Sequence, residues 1–218
     1  QKILQCKKIK KTPILVGGTG LYFKALTEGL VNIPKIPNNF RNKVRNLHKR
    51  IGQQKFFQKL LQIDPLIKDQ INSLDTQRSI RAYEIKSFTK KSMISWFKNT
   101  KSDYSHNDFF KICIDFPRKD LIERINHRSE NMIKLGAILE VKKFIKLRVP
   151  KNKSLSKAIG ISEIKQYLQK KIQTEQLIEK ISIKTRQYAK RQSTWARGHM
   201  KDWNKVDPAG LEKLLKKI

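Results

Sequence analysis

Gly17-Gly18-Thr19-Gly20 is the stretch of this 218-residue chain best suited to chemistry. The apolar run Ile14-Leu15-Val16 precedes it, and a helical pattern opens at Leu21-Tyr22. A strand that ends in a glycine turn and runs into a helix presents backbone N–H groups and a helix N-terminus to an anion. Glycine permits positive φ and close approach of a ligand to the backbone, and Thr19 adds a hydroxyl that donates and accepts. Many ordinary strand-to-helix turns share this composition, so a purely structural turn is an equal alternative.

Three arginine-bearing segments stand beside it. In Gln77-Arg78-Ser79-Ile80-Arg81 two guanidinium forks lie three residues apart on one helical face, with an amide one turn before Arg81. Such donors suit phosphates and base edges, and a solvated helix face has the same pattern. Arg118, Arg124 and Arg128 accompany a packing stripe of Leu121, Ile125 and Met132. They suit a diphosphate, or else ion pairs with Glu123 and Glu130. From Thr185 to Arg197, helical spacing puts Arg186, Lys190 and Arg197 on one face, with Gln187 and Arg191 beside it. Tyr188 and Trp195, seven apart, are expected to pack inward, which gives a phosphate-tracking ridge with an aromatic anchor.

Composition narrows the partners. Lys and Arg number 49 against 18 Asp and Glu, a formal net charge of +31. That field draws in polyanions, nucleic acid first among them. Lys, Ile and Asn are abundant throughout, so compositional drift in an AT-rich genome is the alternative source of the charge. Cys6 and Cys113 form no CxxC or Cys/His cluster, and His48, His106, His127 and His199 lack ligand spacing. This disfavours a zinc site or a disulfide scaffold and fits a reducing cytosol. No run approaches the ~20 apolar residues of a membrane span.

The elements expected to position these groups follow from periodicity and caps. Lys11–Val16 reads as a buried strand and Leu21–Leu30 as the helix after it. Residues 31–37, with Pro34 and Pro37, read as a linker. From Asn38 to Thr100 several short helices are expected, with Phe40, Val44, Leu47 and Ile51 at helical spacing and Phe57, Leu60, Leu61 and Ile63 after them. Asp64-Pro65 reads as a helix start, and Asp75 or Thr76 as the cap of the helix through Arg81. Phe109–Phe116 reads as a second strand ended by Pro117. Asp120 with Glu123 suggests a capping box for a helix to Leu135, with Gly136 as its stop. Thr174 opens a long helix, and Asp207-Pro208 a short terminal one. The glycine turn lies close to the edge of a chain that starts at Gln1 rather than Met, so an upstream part is expected.

Taken in order, these segments resemble the tRNA dimethylallyltransferases. Ile14–Tyr22 with Lys24-Ala25-Leu26 and Glu28-Gly29-Leu30 is similar to that family's glycine motif. Asp75, Gln77-Arg78 and Arg81-Ala82-Tyr83-Glu84 are similar to its insertion motif. Leu121, Arg124-Ile125, Arg128, Met132, Gly136 and Glu140-Val141 are similar to its next helix. Thr185-Arg186-Gln187, Ala189-Lys190-Arg191-Gln192 and Thr194-Trp195 are close to a family signature. The resemblance runs through nearly the whole chain. It implies an α/β fold with a P-loop NTPase-like core, represented here by its downstream part, and an all-helical insertion. The implied regions are residues 1–33 and 109–218 for the core and 34–108 for the insertion.

It further implies attack by N6 of a flipped-out adenosine 37 on C1 of dimethylallyl diphosphate, with pyrophosphate leaving. The implied partners are the tRNA anticodon stem-loop and dimethylallyl diphosphate, with Mg2+ and an ATP-type phosphate loop. A cytoplasmic monomer with no membrane association is expected. By carry-over, Thr19 lies near the adenine and tRNA and counts with Arg128 as catalytic. Arg128 and Arg124 bind the diphosphate. The tRNA contacts are Arg41, Gln77, Arg78, Ser79, Ile80 and Arg81, the loop Lys157-Ala158-Ile159-Gly160-Ile161-Ser162, and Arg186, Lys190 and Arg191. The family's phosphate loop and general-base Asp are placed upstream of Gln1, so these residues alone are expected to turn over little. At the loop, Ile161 and Ser162 stand where the family has Tyr and a basic residue, and Ala196 replaces a large apolar residue. An adenylate isopentenyltransferase and a non-catalytic basic RNA-binding protein are the rival functions.

Overall fold

The computed structural model describes residues 1–150 and 153–216; residues 217–218, the end of the expected third region, and the side chain of His106 lie outside the described residues. The chain forms two compact units. One combines Gln1–Gly20 with Phe110–Ile218, and the other is Leu21–Phe109. The expected boundary at residue 33 falls inside the second unit.

The second unit is helical. After α1 (Lys2–Lys8), which belongs to the first unit, α2 (Gly20–Glu28) leads into the proline segment and α3 (Asn38–Ile63). The several helices expected there are present: α3 is itself two helices that meet at a kink, where Gly52 sits at φ 76°, ψ 167°. That conformation is open to glycine and strained for other residues. Asp64-Pro65 starts a single 3-10 turn, Pro65–Ile67, rather than an α-helix. Then come α4 (Thr76–Thr89) and α5 (Met93–Lys98). The core of this unit joins Ile36, Phe57, Leu60, Ile67, Ile71, Ala82, Ile85 and Met93.

The start of α4 is the cap expected of it. The Asp75 carboxylate accepts from the Arg78 backbone N–H at 2.9 Å and from the Arg78 guanidinium at 3.1 Å. Asp75→Ala is therefore expected to cost about 1 kcal/mol of stability, read by urea unfolding. Asp75→Asn, which keeps an acceptor, is expected to lose much less.

In the first unit β1 (Ile112–Ile114) pairs in parallel with β2 (Asn204–Val206), in register Ile112↔Asn204, Cys113↔Lys205 and Ile114↔Val206. The strand expected over Phe109–Phe116 is only three residues long, and β2 carries no sequence signal of its own. α6 (Arg118–Lys134) packs on α9 (Thr174–His199), with α7 (Ala137–Lys146) and α8 (Ile161–Leu168) beside them and α10 (Pro208–Leu215) last. Val141, Ile161, Ile164, Leu177 and Ile181 form the core.

Two expectations fail here. Lys11–Val16 is not a strand, and Ile14 and Val16 are 79% and 90% exposed. A strand is held by its ladder, and neither β1 nor β2 pairs with this run. The capping box at Asp120 is also absent. Pro117 is the N-cap, which puts Asp120 in the first turn as a favourable charge near the helix N-terminus.

Candidate functional site

The glycine turn lies on the last turns of α9. At 100° per residue, Leu177, Ile181, Tyr188, Gln192, Trp195 and His199 form one stripe along this helix. Its N-terminal part, Leu177 and Ile181, is core. Its C-terminal part receives the turn, where the Gln192 side-chain amide donates to the Gly18 carbonyl at 2.8 Å. The Trp195 ring stacks on His199 with centroids 4.5 Å apart. A Cβ at Gly20 would run into that ring, and one at Gly18 would run into the Gln192 amide. None of Gly17, Gly18 and Gly20 has positive φ. Close approach, not left-handed backbone, is thus what Gly18 and Gly20 supply, and what approaches is a helix of the same chain. Thr19 is left exposed between them.

Tyr188 is exposed rather than packed inward, with the Arg191 guanidinium over its ring at 5.6 Å. The stripe outlasts the core, so the residue past Ile181 faces outward. On the opposite side of α9, Lys190 and Arg197 are exposed and Arg186 half-buried. Among the described residues none of these three forms an ion pair.

On α6, Ile125 and Ser129 are buried while Arg124 and Arg128 are exposed. Arg124 lies over the Phe116 ring at 5.0 Å. Neither Arg124 nor Arg128 pairs with Glu123, Glu130 or any other described carboxylate. The ion-pair alternative for these arginines is thereby removed. No hydrogen bond or ion pair among the described residues links them to the glycine turn.

In the helical unit two predicted tRNA residues meet on one acid. Glu84, 1% exposed, accepts from Arg41 Nε at 3.3 Å and from Arg81 at 3.4 Å, and Arg45 Nε stands 3.7 Å from its other oxygen. Ser79 is buried and bonded to the Asp75 carbonyl, which makes it a strut of α4. Gln77 and Arg78 are exposed, Ile80 partly so. The i,i+4 spacing of Arg41 and Arg45 is the sequence signal for Arg45, and nothing in the sequence marks Glu84 as the acid they share.

The loop at 157–162 is braced from below. Lys157, Ala158 and Ile159 are exposed, while Gly160 and Ile161 are buried. The buried Glu163 carboxylate accepts from the Gly160 N–H at 3.0 Å and the Ser162 hydroxyl at 2.6 Å, and pairs with Lys184 of α9. Burial pushes this acid up, but Lys184, Ser162 and the backbone N–H groups outweigh it and hold it below the usual carboxylate range. Ser162 is thus committed to the brace.

Cys6 and Cys113 are free thiols, and Cys113 is pushed up by burial, with Asp115 adding to this and Lys205 opposing it. Such a thiol is a poor nucleophile. Among the described residues no three His, Cys, Asp or Glu side chains gather to hold a metal ion. No step below is routed through a metal ion. No helix of the described residues is long and apolar enough to cross a membrane.

Residues 1–199 match a family model described as IPP transferase. The chain is 56% identical over 218 residues to a tRNA dimethylallyltransferase of Pelagibacter ubique, covering 100% of this chain and 70% of that protein. It is 41% identical over 203 residues to a tRNA dimethylallyltransferase of Rickettsia massiliae, covering 93% of this chain and 56% of the relative. Among solved structures, a tRNA isopentenylpyrophosphate transferase of Bacillus halodurans aligns with TM-score 0.55 at 29% identity, over 94% of this chain and 63% of that one. A eukaryotic dimethylallyltransferase acting on tRNA aligns with TM-score 0.75 at 24% identity, over 94% of this chain and 54% of that one, and shows a shared fold alone. The chain thus spans 54% to 70% of the lengths of these proteins. With a family model matched over residues 1–199 and a 56% identical relative covered across 70% of its length, the chain belongs to the IPP transferase family.

Proposed function

We propose that this chain serves the transfer of a dimethylallyl group from dimethylallyl diphosphate to N6 of adenosine 37 in tRNA. N6 attacks C1, the bond from C1 to the diphosphate oxygen breaks, and pyrophosphate leaves as N6 gives up a proton. Family membership is the observation that carries this reading.

The residues divide the work by their chemistry. Among the described residues no carboxylate pairs with Arg128, which is suited to the negative charge that builds on the leaving diphosphate, with Arg124 beside it. Thr19, exposed on a turn clamped by Gln192 and Trp195, is suited to donate to or accept from the adenine. Arg186, Lys190 and Arg191 on α9, the loop at 157–162 and the α4 arginines are suited to phosphates of the stem. The P-loop-like core, the insertion reading of residues 34–108, Mg2+, and a cytoplasmic monomer belong to the same proposal. No GxxxxGK[ST] loop occurs in the 218 residues, and the base that takes the N6 proton is assigned to none of them.

The test is binding of anticodon stem-loop RNA to the 218-residue chain, with adenosine 37 present or replaced by an abasic site. A flipped, stacked base is worth about 1–3 kcal/mol, so the abasic hairpin is expected to bind markedly more weakly. Equal affinity for both, with steep loss in salt, would favour a non-catalytic basic RNA-binding protein, a role the net charge of +31 also suits. Competition by AMP but not by tRNA would favour prenylation of a free nucleotide.

A further inference from the structure

Arg41, Arg45 and Arg81 come from two helices and converge on one buried acid, Glu84. Three positive charges around one negative charge leave a local surplus, so the arrangement is not a closed salt bridge. Each guanidinium turns one nitrogen toward the carboxylate: Nε of Arg41 at 3.3 Å, Nε of Arg45 at 3.7 Å and a terminal nitrogen of Arg81 at 3.4 Å. Their side chains remain 37%, 50% and 41% exposed. An arginine has five N–H donors in a rigid fork, so each keeps donors for solvent or a ligand. Glu84, by contrast, is shut away from any ligand.

From this geometry we infer that Glu84 is a positioning residue for a three-arginine phosphate cradle, and that Arg45 is one of its contacts. The inference rests on the RNA-binding reading above and deepens it. The acid sacrifices one unit of attraction for RNA. In return it fixes three long side chains that would otherwise lose rotamer freedom when a phosphate binds. Arg41 and Arg45 are one turn apart on α3, and Arg81 reaches the same carboxylate from α4. The cradle therefore spans two helices.

The sign of one substitution separates this from a diffuse basic field. Glu84→Gln keeps the shape and raises the net charge by one. A diffuse field then binds RNA more tightly and with a steeper salt dependence. A positioned cradle binds more weakly, because the forks lose their common anchor.

The experiment measures binding of the 218-residue chain to an anticodon stem-loop and to an unrelated RNA hairpin across a salt series, with melting temperatures as the check on folding. Glu84→Gln is expected to weaken both hairpins. Arg45→Ala is expected to weaken them roughly tenfold, the lower end for a charge-assisted hydrogen bond, and to reduce the salt slope by about 0.7–0.9. Lys43→Ala, which removes the same charge from the far side of α3, is the control and is expected to change affinity less than twofold. If Glu84→Gln fails to fold, Arg45→Ala against Lys43→Ala carries the test. Tighter binding by Glu84→Gln, or equal losses from Arg45→Ala and Lys43→Ala, would overturn the inference. Weakening of both hairpins by the variants, with wild type showing no preference for the anticodon stem-loop, would sink the tRNA reading and leave the cradle standing. A wild-type chain that binds neither hairpin would sink both.

Discussion

Gly20→Val is expected to destabilise the chain by roughly 1–3 kcal/mol and to unseat the glycine turn from α9. The Cβ has nowhere to go, since it would overlap the Trp195 ring, which is held flat against His199. Two responses are open, and both cost. Either Trp195 leaves its stack, or residues 17–20 lift off the helix and the Gln192 bond to the Gly18 carbonyl breaks. For a chain of this size each kcal/mol lowers the melting temperature by roughly 2–4 °C. Trp195→Ala makes the missing space, so Gly20→Val in that background is expected to cost far less than in wild type. Such non-additivity identifies a shared contact. Gly198→Ala provides the contrast. It lies on the same helix with open space where its Cβ would go, so helix propensity alone acts and the change is expected to be neutral or stabilising by up to about 1 kcal/mol. Additive losses for Gly20→Val and Trp195→Ala in urea unfolding would refute the seating contact.

This contact also shows what was legible in the sequence. Helix α9 was readable because Leu177, Ile181 and Trp195 repeat at its period, and α4 because Asp75 caps it. The partner of a face was not readable. The stripe that buries Ile181 goes on to carry the glycine turn, and Tyr188, in register with both, faces solvent. Periodicity reports which residues share a face, not what covers it. The strands failed for a related reason. Ile14-Leu15-Val16 has strand composition but no ladder partner in the structure, whereas Asn204-Lys205-Val206 has weak composition and a partner in β1. Glu84 was invisible as a node because Arg41 lies 43 residues away in sequence, and pairing at that distance is set by how α3 packs on α4. Arginine positions could be named from sequence, but their grouping around one acid emerged only from tertiary structure.

Removing the charge from Glu163 is the second large effect, and its size is expected to depend on pH. This carboxylate is buried, yet Lys184, Ser162 and the Gly160 N–H hold it below the usual range. Its folded-state pKa therefore lies under its unfolded value of about 4.3. A group depressed on folding contributes stability that is fully present above the unfolded pKa and is lost as pH falls through the folded one. Glu163→Gln keeps the shape but lacks that charge, and is expected to cost about 1–3 kcal/mol at pH 7. The gap between wild type and Glu163→Gln is then expected to close progressively below about pH 5. Lys184→Met tests the other partner. It leaves the buried carboxylate with neutral donors only, so the acid limb of stability is expected to move to higher pH than in wild type. Urea unfolding of the three proteins between pH 7 and pH 3 decides the matter, because the chain's other carboxylates titrate alike in all three and cancel in the differences. A gap that stays constant down to pH 3 would mean that Glu163 acts by shape alone. The consequence reaches past stability. The brace ties the exposed Lys157-Ala158-Ile159 segment to α9 through Gly160, Glu163 and Lys184, so both variants are also expected to weaken RNA binding, even though Glu163→Gln makes the chain more positive.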